Sequence, residues 1–419
     1  GERGVQAEVF PNLELSGTPT ATRRARNLNL WEVASGGPGP ARQPGSARWT
    51  GYFEAPSAGS YDLFVQSGGG RGGHRLFVDD ALVVDCRQEA RAFVSQRTLQ
   101  LDAGPHKVVL ELARQWGVGS TRIRVGISRT GTLVDPVVKA LAARADAVVA
   151  AVGFDAESES ESADRTFQLP NGQDELIREL VAANENTVVV LTAGGNVDTS
   201  AWLAEVPALV HTWYPGQEGG SAVADVLFGD VNPSGRLPVS FERRLEDNPT
   251  HDSYYPADPA SRRVEYEEGV FVGYRGYERS GAQPLFPFGY GLSYTSFAYA
   301  NLSVTPRRSR DGRISVSFDV TNTGPREGQD VAQVYVSEAR PKLPRPGKEL
   351  KGFAKVRLRP GETQRVTVAL DPRAFTYYDV KTGAWQANPG RFGILVGRSS
   401  AEIVLRGAVE LATALTVPR

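Results

Sequence analysis

A short acidic segment contains the residue types needed for general acid–base chemistry. Residues 155–165 read DAESESESADR, so five carboxylates lie within eleven positions. A carboxyl held beside a scissile bond can protonate the leaving oxygen and later take a proton from water. A charge run is also typical of a solvated loop, and we interpret Asp155 and Glu157 in that way. Asp164 and Arg165 are adjacent opposite charges, which could form a supporting ion pair.

The elements around this segment predict a sheet that would position it. The segment follows the apolar run Ala147–Val152, which is typical of a strand buried on both faces. Strands and helices then alternate, which predicts a parallel sheet, and chemistry in such sheets lies at the carboxyl ends of the strands. The other predicted elements are strands at Thr187–Thr192 and Ala208–Trp213 and helices at Pro136–Arg144, Asp174–Ala183 and Gly216–Phe228, the last with Ala222, Val223, Val226 and Leu227 inward.

All-β segments flank this α/β region. Up to about residue 130, short alternating runs such as Trp49–Phe53 and Ala81–Asp85 are separated by turn residues, which predicts a sandwich or barrel. After Phe297 the pattern again has period two, as in Ile314–Val320, and about seven short strands fit an immunoglobulin-like sandwich.

Composition excludes several functional classes. The 419 residues include 47 basic and 48 acidic side chains, for a net charge of −1. A nucleic acid or an anionic membrane would call for a basic surface, so neither is expected as the main partner. No apolar stretch approaches the length of a membrane span. One cysteine, Cys86, excludes a disulfide framework and a cysteine-based zinc site within this chain, and four scattered histidines argue against a His-rich metal site.

Three segments resemble glycoside hydrolase family 3, in the family's order. They are ESESADR…LPNGQDELI, WYPGQEGGSAVADVLFGDVNPSGRLPVSF and PLFPFGYGLSYTSF. The family pattern Glu-Gly-any-Asp-Arg falls on residues 161–165, with Ser162 in place of the glycine. The resemblance implies that Glu161 is the general acid/base, with Glu159 as the runner-up. Asp164 and Arg165 would support it.

The flanking segments carry their own resemblances. RWTGYFEAP…RLFVDDALVVD is similar to the protective-antigen-type β-sandwich, and PGKELKGFAKVRLRPGE resembles a fibronectin type III-like domain. The implied fold is multidomain, α/β plus all-β. The loop around residues 66–75 would then reach over the active site, with Arg75 as a substrate-binding candidate. The implied domains are a protective-antigen-type β-sandwich at 1–131, an α/β sandwich domain with a mostly parallel sheet at 132–245 that is incomplete at its N-terminal side, a connector at 246–295, and an immunoglobulin-like fibronectin type III-like domain at 296–419.

The family resemblance implies an exo-acting, retaining β-glycosidase of the β-glucosidase type, which hydrolyses terminal non-reducing β-linked sugars. Its substrate would be a β-glucoside or oligosaccharide, and the resemblance implies that no metal and no organic cofactor takes part. In the family an Asp nucleophile lies on an N-terminal (β/α)₈ barrel, and we find neither enough βα units nor the Ser-Asp-Trp-type motif here. We therefore expect activity only with a separate or missing barrel polypeptide of the same enzyme. The resemblance also implies an extracellular or periplasmic bacterial setting, and a homo-oligomer is compatible with it.

Two alternatives stay open at this point. One is a non-catalytic carbohydrate-binding or scaffold protein built from the same domains. The other is a nucleotide-binding α/β domain, since Thr192–Asn196 follows a predicted strand. That stretch lacks the G-x-G-x-x-G and P-loop patterns, which weakens the nucleotide reading.

Overall fold

The structure, a computed structural model, divides into two compact units, Gly1–Gly216 and Gln217–Arg419. In the parts of the chain it describes, no helix is long and apolar enough to cross a membrane. The described residues are 4–26, 28, 45–67, 72–87, 93–114, 123–156, 158–159, 165–254, 263–306 and 313–418.

The N-terminal unit begins with a β-sandwich, which confirms the all-β prediction for this segment. Its strands are β1 (Val5–Phe10), β2 (Ala21–Ala25), β3 (Gly45–Ala55), β4 (Gly59–Ser67), β5 (Gly72–Val78), β6 (Ala81–Asp85), β7 (Phe93–Leu101), β8 (Gly104–Arg114) and β9 (Ile123–Arg129). One antiparallel sheet has the order β2-β1-β3-β8-β5-β6 and the other the order β7-β4-β9. Trp49, Leu63 and Leu110 belong to one core shared by both sheets, so the sheets face each other.

An α/β region completes the N-terminal unit and contains the predicted parallel sheet. Its elements are α1 (Pro136–Ala142), β10 (Val148–Gly153), α2 (Gln173–Ala183), β11 (Thr187–Thr192), a 3₁₀ turn (Leu203–Glu205) and β12 (Ala208–His211). The strands pair in parallel in the order β10-β11-β12. Ile177 and Leu180 of α2 join the apolar side chains of this sheet in one core. The carboxyl ends of the three strands therefore lie along one edge.

Two predicted boundaries after β11 were wrong, for backbone reasons. The third strand ends at His211 rather than Trp213, because Trp213 has a φ of 55°, which a strand cannot contain. The following helix, α3 (Gly219–Phe228), begins three residues later than predicted, because Gly216 has a φ of 75°. Ala222, predicted to face inward, is exposed.

The C-terminal unit contains the predicted fibronectin-like sandwich. After α3, a 3₁₀ turn (Leu245–Asp247) and α4 (Tyr274–Ser280) come β13 (Phe297–Pro306), β14 (Ile314–Asn322), β15 (Gly328–Glu338), β16 (Glu349–Leu358), β17 (Thr363–Leu370), a 3₁₀ turn (Pro372–Phe375), β18 (Tyr377–Asp379), β19 (Ala384–Ala387), β20 (Gly390–Gly397), β21 (Ile403–Leu411) and β22 (Leu415–Val417). Sheets β13-β14-β17 and β16-β15-β20-β21 share one core around Phe318 and Val334, and β18-β19-β22 form a small third sheet. The two main sheets give the seven strands expected.

A buried ion pair fastens the turn before the connector to this sandwich. Arg236 donates to Asp330 at 2.6 Å, and the two side chains are only 11% and 1% exposed. The Tyr299 hydroxyl donates to the other carboxylate oxygen of Asp330 at 2.8 Å. The pair joins residues that lie 94 positions apart in the sequence.

We expect the substitution Arg236→Met to lower the free energy of unfolding of the C-terminal unit by about 3–5 kcal/mol, because it leaves the Asp330 carboxylate buried without its cation. Urea denaturation, followed by amide exchange in β15, measures this. Arg357→Met is the matched control, since its pair with Glu327 is 72% and 40% exposed. Removing that pair should cost less than about 1 kcal/mol. Equal losses in the two variants would contradict the assignment.

Candidate active site at the carboxyl ends of the parallel strands

The end of β10 approaches β11 too closely for a side chain. A Cβ on Gly153 would lie 1.9 Å from the Thr192 carbonyl oxygen, and the φ of Gly153 is 145°. The amide of Phe154 donates to the same oxygen at 2.9 Å. The side chain of Gln173, the first residue of α2, accepts from the Gly153 amide at 2.7 Å and donates to its carbonyl at 2.9 Å. Phe154, the residue before the acidic segment, is therefore held against the end of β11.

Asp155 has a structural role in the turn that follows. Its carboxylate accepts from the backbone amide of Ser158 at 2.9 Å and forms a 3.0 Å ion pair with Arg124. Burial acts to raise the pKa of Asp155, but the hydrogen bonds from Ser158 and Arg124 outweigh it and hold the pKa below its usual value. A lowered pKa disfavours Asp155 as a proton donor.

Glu159 lies at the carboxyl ends of the parallel strands, in contact with the residues that follow β11 and β12. Its carboxylate accepts from the Tyr214 hydroxyl at 2.5 Å and from the backbone amide of Gly194 at 3.2 Å. It also forms an ion pair with Arg165, with 3.2 Å between Nε and Oε1. All three neighbours are donors, an arrangement that suits the ionised carboxylate, which only accepts hydrogen bonds.

Arg165 is also held by several contacts besides its ion pair with Glu159. Its Nη2 donates to the Asn196 carbonyl at 2.6 Å, and its Nη1 donates to the Thr166 carbonyl at 3.0 Å. The guanidinium also lies over the ring of Phe154, 4.9 Å from the centroid. Arg165 thereby joins the far end of the acidic segment to the residue that precedes it and to the loop after β11.

His211 and Tyr214 complete the site and are both uncharged near neutral pH. His211 stacks on Trp213 with ring centroids 4.6 Å apart. Burial first, and then the positive charge of Arg165, lowers the pKa of His211 to about 4. Desolvation, then the hydrogen bond to Glu159 and its negative charge, raises the pKa of Tyr214 to about 12. Tyr214 therefore remains a neutral hydrogen-bond donor near pH 7.

The structure brings two of the predicted site residues together. Glu159 and Arg165 form a pair, whereas Glu161 and Asp164 lie outside the described residues, so their roles stay predictions. Arg75 lies in β5 of the N-terminal β-sandwich, where it pairs with the buried Glu111 at 2.5 Å. The substrate-binding role predicted for Arg75 stays a prediction, and the glycine-rich residues 68–71 beside it lie outside the described residues.

Sequence reasoning missed three residues that organise this site: Gln173, Gly194 and Tyr214. The signal for Gly194 was the glycine pair after β11, which we weighed only as a nucleotide-binding loop. In the structure the Gly194 amide donates to Glu159, and the next helical element is the 3₁₀ turn at Leu203–Glu205. No helix N-terminus follows this loop directly to cradle a phosphate. Among the described residues, no three His, Cys, Asp or Glu side chains are grouped so that they could hold a metal ion.

Comparison with known proteins identifies the family. Residues 60–294 match the glycosyl hydrolase family 3 C-terminal domain, and residues 330–400 match the fibronectin type III-like domain. The first match covers more than half of the chain. The chain belongs to glycosyl hydrolase family 3. This membership confirms the resemblance carried by the three motif segments.

Similar proteins are β-glucosidases that are longer than this family 3 chain. It is 44% identical over 275 residues to thermostable beta-glucosidase B of Acetivibrio thermocellus, which covers 65% of this chain and 36% of that protein. It is 39% identical over 384 residues to probable beta-glucosidase I of Aspergillus terreus, covering 84% and 45%. The crystal structure of the Kluyveromyces marxianus beta-glucosidase with glucose matches with a TM-score of 0.63 and 31% identity, covering 99% of this chain and 51% of that one. The chain thus spans about half of these relatives or less.

In this family 3 chain we expect Gly194→Ala to displace the Glu159 carboxylate from its hydrogen-bond donors. The added Cβ would lie 2.3 Å from Glu159 Oε1, so the flexible carboxylate must move and lose its hydrogen bonds. The free energy of unfolding should fall by about 1–3 kcal/mol, measured by urea denaturation. Gly220→Ala in α3 is the control, because its Cβ meets nothing within 4 Å, and alanine in a helix should leave the free energy of unfolding unchanged or raise it by up to about 1 kcal/mol. If Gly194→Ala is as stable as the wild type, Glu159 is not held as described.

The low pKa of His211 predicts a loss of stability in acid. Its folded pKa of about 4 is below the ordinary histidine value of 6.5, so between these pH values the unfolded chain binds the proton more tightly. The stabilisation is complete above pH 6.5 and is lost as the pH falls to 4, by about 1–3 kcal/mol. Urea denaturation at pH 7 and pH 4.5 should show a smaller loss for His211→Asn than for the wild type. A residual slope is expected from His74, whose pKa is also lowered to about 4 by burial. Equal losses in variant and wild type would disprove the assignment.

Proposed function

We propose that this chain is the acid/base-bearing part of an exo-acting, retaining β-glucosidase. The substrate is a terminal non-reducing β-linked sugar in a β-glucoside or oligosaccharide. The observation that carries the proposal is the Glu159–Arg165 ion pair at the carboxyl ends of the parallel strands, because it holds the two ends of the segment that contains Glu161. Membership of family 3 and relatives named as β-glucosidases support the reaction class.

The contacts of Glu159 favour Glu161 as the acid/base. A general acid must carry a proton that it can present to the glycosidic oxygen. The Glu159 carboxylate is surrounded by three donors and has no acceptor among its described contacts to receive its own proton. Glu161 matches the acid/base position of the family motif and is two residues away. Asp164 is assigned a supporting role within the same motif.

The reaction proceeds in two steps through a glycosyl-enzyme. In the first, an Asp carboxylate attacks the anomeric carbon while Glu161 protonates the departing oxygen, so the glycosidic bond breaks and the leaving group departs neutral. In the second, the Glu161 carboxylate takes a proton from water, whose oxygen attacks the anomeric carbon and releases the Asp. Retaining enzymes of this kind hold the two carboxyl groups about 5 Å apart.

The nucleophile comes from a part of the enzyme other than this sequence. We assign it to a (β/α)₈ barrel, either on a separate polypeptide or elsewhere in a longer chain. The barrel then supplies most of the subsite for the terminal sugar, and the chain alone is inactive. We assign this enzyme to a bacterial extracellular or periplasmic setting, where its oligosaccharide substrates are available.

In the active enzyme, we expect Glu161→Gln to make the rate depend steeply on the leaving group. The kcat/KM for a phenyl β-glucoside should fall by about 10²–10⁴-fold, because that leaving group needs the proton. With 2,4-dinitrophenyl β-glucoside the loss in kcat/KM should stay below about tenfold, since this leaving group departs without a proton. Azide should restore turnover by attacking the glycosyl-enzyme without a general base.

The matched control is Glu157→Gln, a carboxylate of the same acidic segment interpreted as solvated, which should leave both rates unchanged. Unchanged kinetics in Glu161→Gln together with a leaving-group-dependent loss in Glu159→Gln would move the acid/base by two residues. Native mass of the purified material should also show a barrel-sized partner or a longer chain whenever activity is present. A chain that is alone, inactive and binds oligosaccharides would support the carbohydrate-binding alternative instead.

A further inference from the structure

The donors that surround Glu159 come from three separate stretches of the chain. Arg165 follows the segment itself, Gly194 lies beyond β11, and Tyr214 lies beyond β12. The Glu159 side chain is only 19% exposed. Three donors around one largely covered carboxylate fix its position far better than a single surface ion pair would.

The surrounding backbone is shaped to admit this carboxylate. Gly194 leaves the space that Glu159 Oε1 occupies, since a Cβ there would lie 2.3 Å from that oxygen. Trp213, immediately before Tyr214, adopts a φ of 55°, a conformation that costs free energy for a bulky residue. The stacking of Trp213 on His211 is one contact that holds this conformation. The site therefore maintains local strain at the residue that precedes the hydroxyl donor.

The Glu159–Arg165 pair also joins the two ends of a short stretch of sequence. Five residues, 160–164, lie between the two partners in the sequence, and Glu161 is one of them. Glu159 and Arg165 are held together by the ion pair, and both contact the loops that follow β11 and β12, through Gly194, Tyr214 and Asn196. Fixing both ends of a chain segment lowers the entropy that is lost when the segment is ordered.

We propose that Glu159, Arg165 and Tyr214 form a positioning site that holds the acid/base segment in its working geometry and sets its electrostatic environment. The proposal rests on the function proposed above, with Glu161 as the acid/base. Glu159 acts here as a positioning residue and transfers no proton. The same reasoning assigns Tyr214 to the site through its hydrogen bond, although it lies 55 positions from Glu159 in the sequence.

The charges around Glu159 predict the direction in which each substitution should shift the protonation of the acid/base. Arg165 pairs with it directly, Tyr214 is neutral because its pKa is raised to about 12, and His211 is neutral because its pKa is lowered to about 4. Asp155 and Arg124, which lie at the start of the segment, pair with each other. Removing Glu159 would leave the Arg165 cation uncompensated, which favours the ionised form of a neighbouring carboxyl. Removing Arg165 would leave the Glu159 anion uncompensated and favour the protonated form.

The test compares Glu159→Gln, Arg165→Gln and Tyr214→Phe in the active enzyme that contains this chain. The basic limb of the kcat/KM pH profile reports the proton of the acid/base. It should move to lower pH in Glu159→Gln and to higher pH in Arg165→Gln, and stay near the wild-type position in Tyr214→Phe. At the pH optimum, each variant should lose about 10–100-fold in kcat/KM on phenyl β-glucoside and clearly less on 2,4-dinitrophenyl β-glucoside.

Two controls separate positioning from other roles. Arg124→Gln breaks the neighbouring ion pair with Asp155 and should leave the pH profile and both rates unchanged. The double variant Glu159→Gln/Glu161→Gln should be no slower than Glu161→Gln alone, because a positioning residue has nothing left to position.

Several outcomes would overturn the inference. Equal losses on both substrates with an unmoved basic limb would mean that Glu159 is only structural. Wild-type kinetics in Glu159→Gln, with a leaving-group-dependent loss in Glu161→Gln, would reject the positioning site and leave the proposed function standing. Wild-type kinetics in Glu161→Gln, with azide-rescued loss in Glu159→Gln, would make Glu159 the acid/base and reject both the positioning role and the assignment of Glu161.

Discussion

The candidate site depends on how closely β10 approaches β11 at Gly153. The Thr192 carbonyl occupies the place where a side chain would begin, and it accepts the hydrogen bond of Phe154. Parallel pairing therefore continues beyond the strand, and the acidic segment leaves the sheet directly above the end of β11. From that starting point the Glu159 carboxylate reaches Gly194, two residues past Thr192. A bulkier residue at 153 would move the whole segment away from its donors.

Two described neighbours of the Glu159–Arg165 pair, His211 and Tyr214, are neutral near pH 7. His211 and Tyr214 have pKa values of about 4 and about 12, shifted in opposite directions, so neither adds charge to the Glu159–Arg165 pair at pH 7. Glu159 has fixed hydrogen-bond donors and Arg165 has fixed carbonyl acceptors, so the ion pair between them is held in one geometry. Such a rigid support is what a catalytic carboxyl needs when it must both give and receive a proton.

The sequence predicted the layers of the fold well because their signals are local. Apolar runs identified β10 and β11, and alternation identified both sandwiches, since side-chain burial follows directly from the period of each element. The residues that organise the site were harder to predict. Tyr214 reaches Glu159 only through the register of three strands and the positive φ of Trp213, and neither is visible in local composition. Gln173 was hidden for a similar reason, because it acts on the backbone of Gly153 across the sheet edge.

The ion pair between Arg236 and Asp330 changes how the C-terminal sandwich can be treated as a module. The turn that carries Arg236 precedes the first strand of the sandwich by about sixty residues, yet its charge neutralises a carboxylate inside that sandwich. The connector is attached as well, because Gln333 donates to the Gly289 carbonyl and the Leu350 amide donates to the Tyr274 hydroxyl. A recombinant fragment cut at Phe297 would retain Asp330 without its counter-ion, so an exchangeable cassette must begin upstream of Arg236.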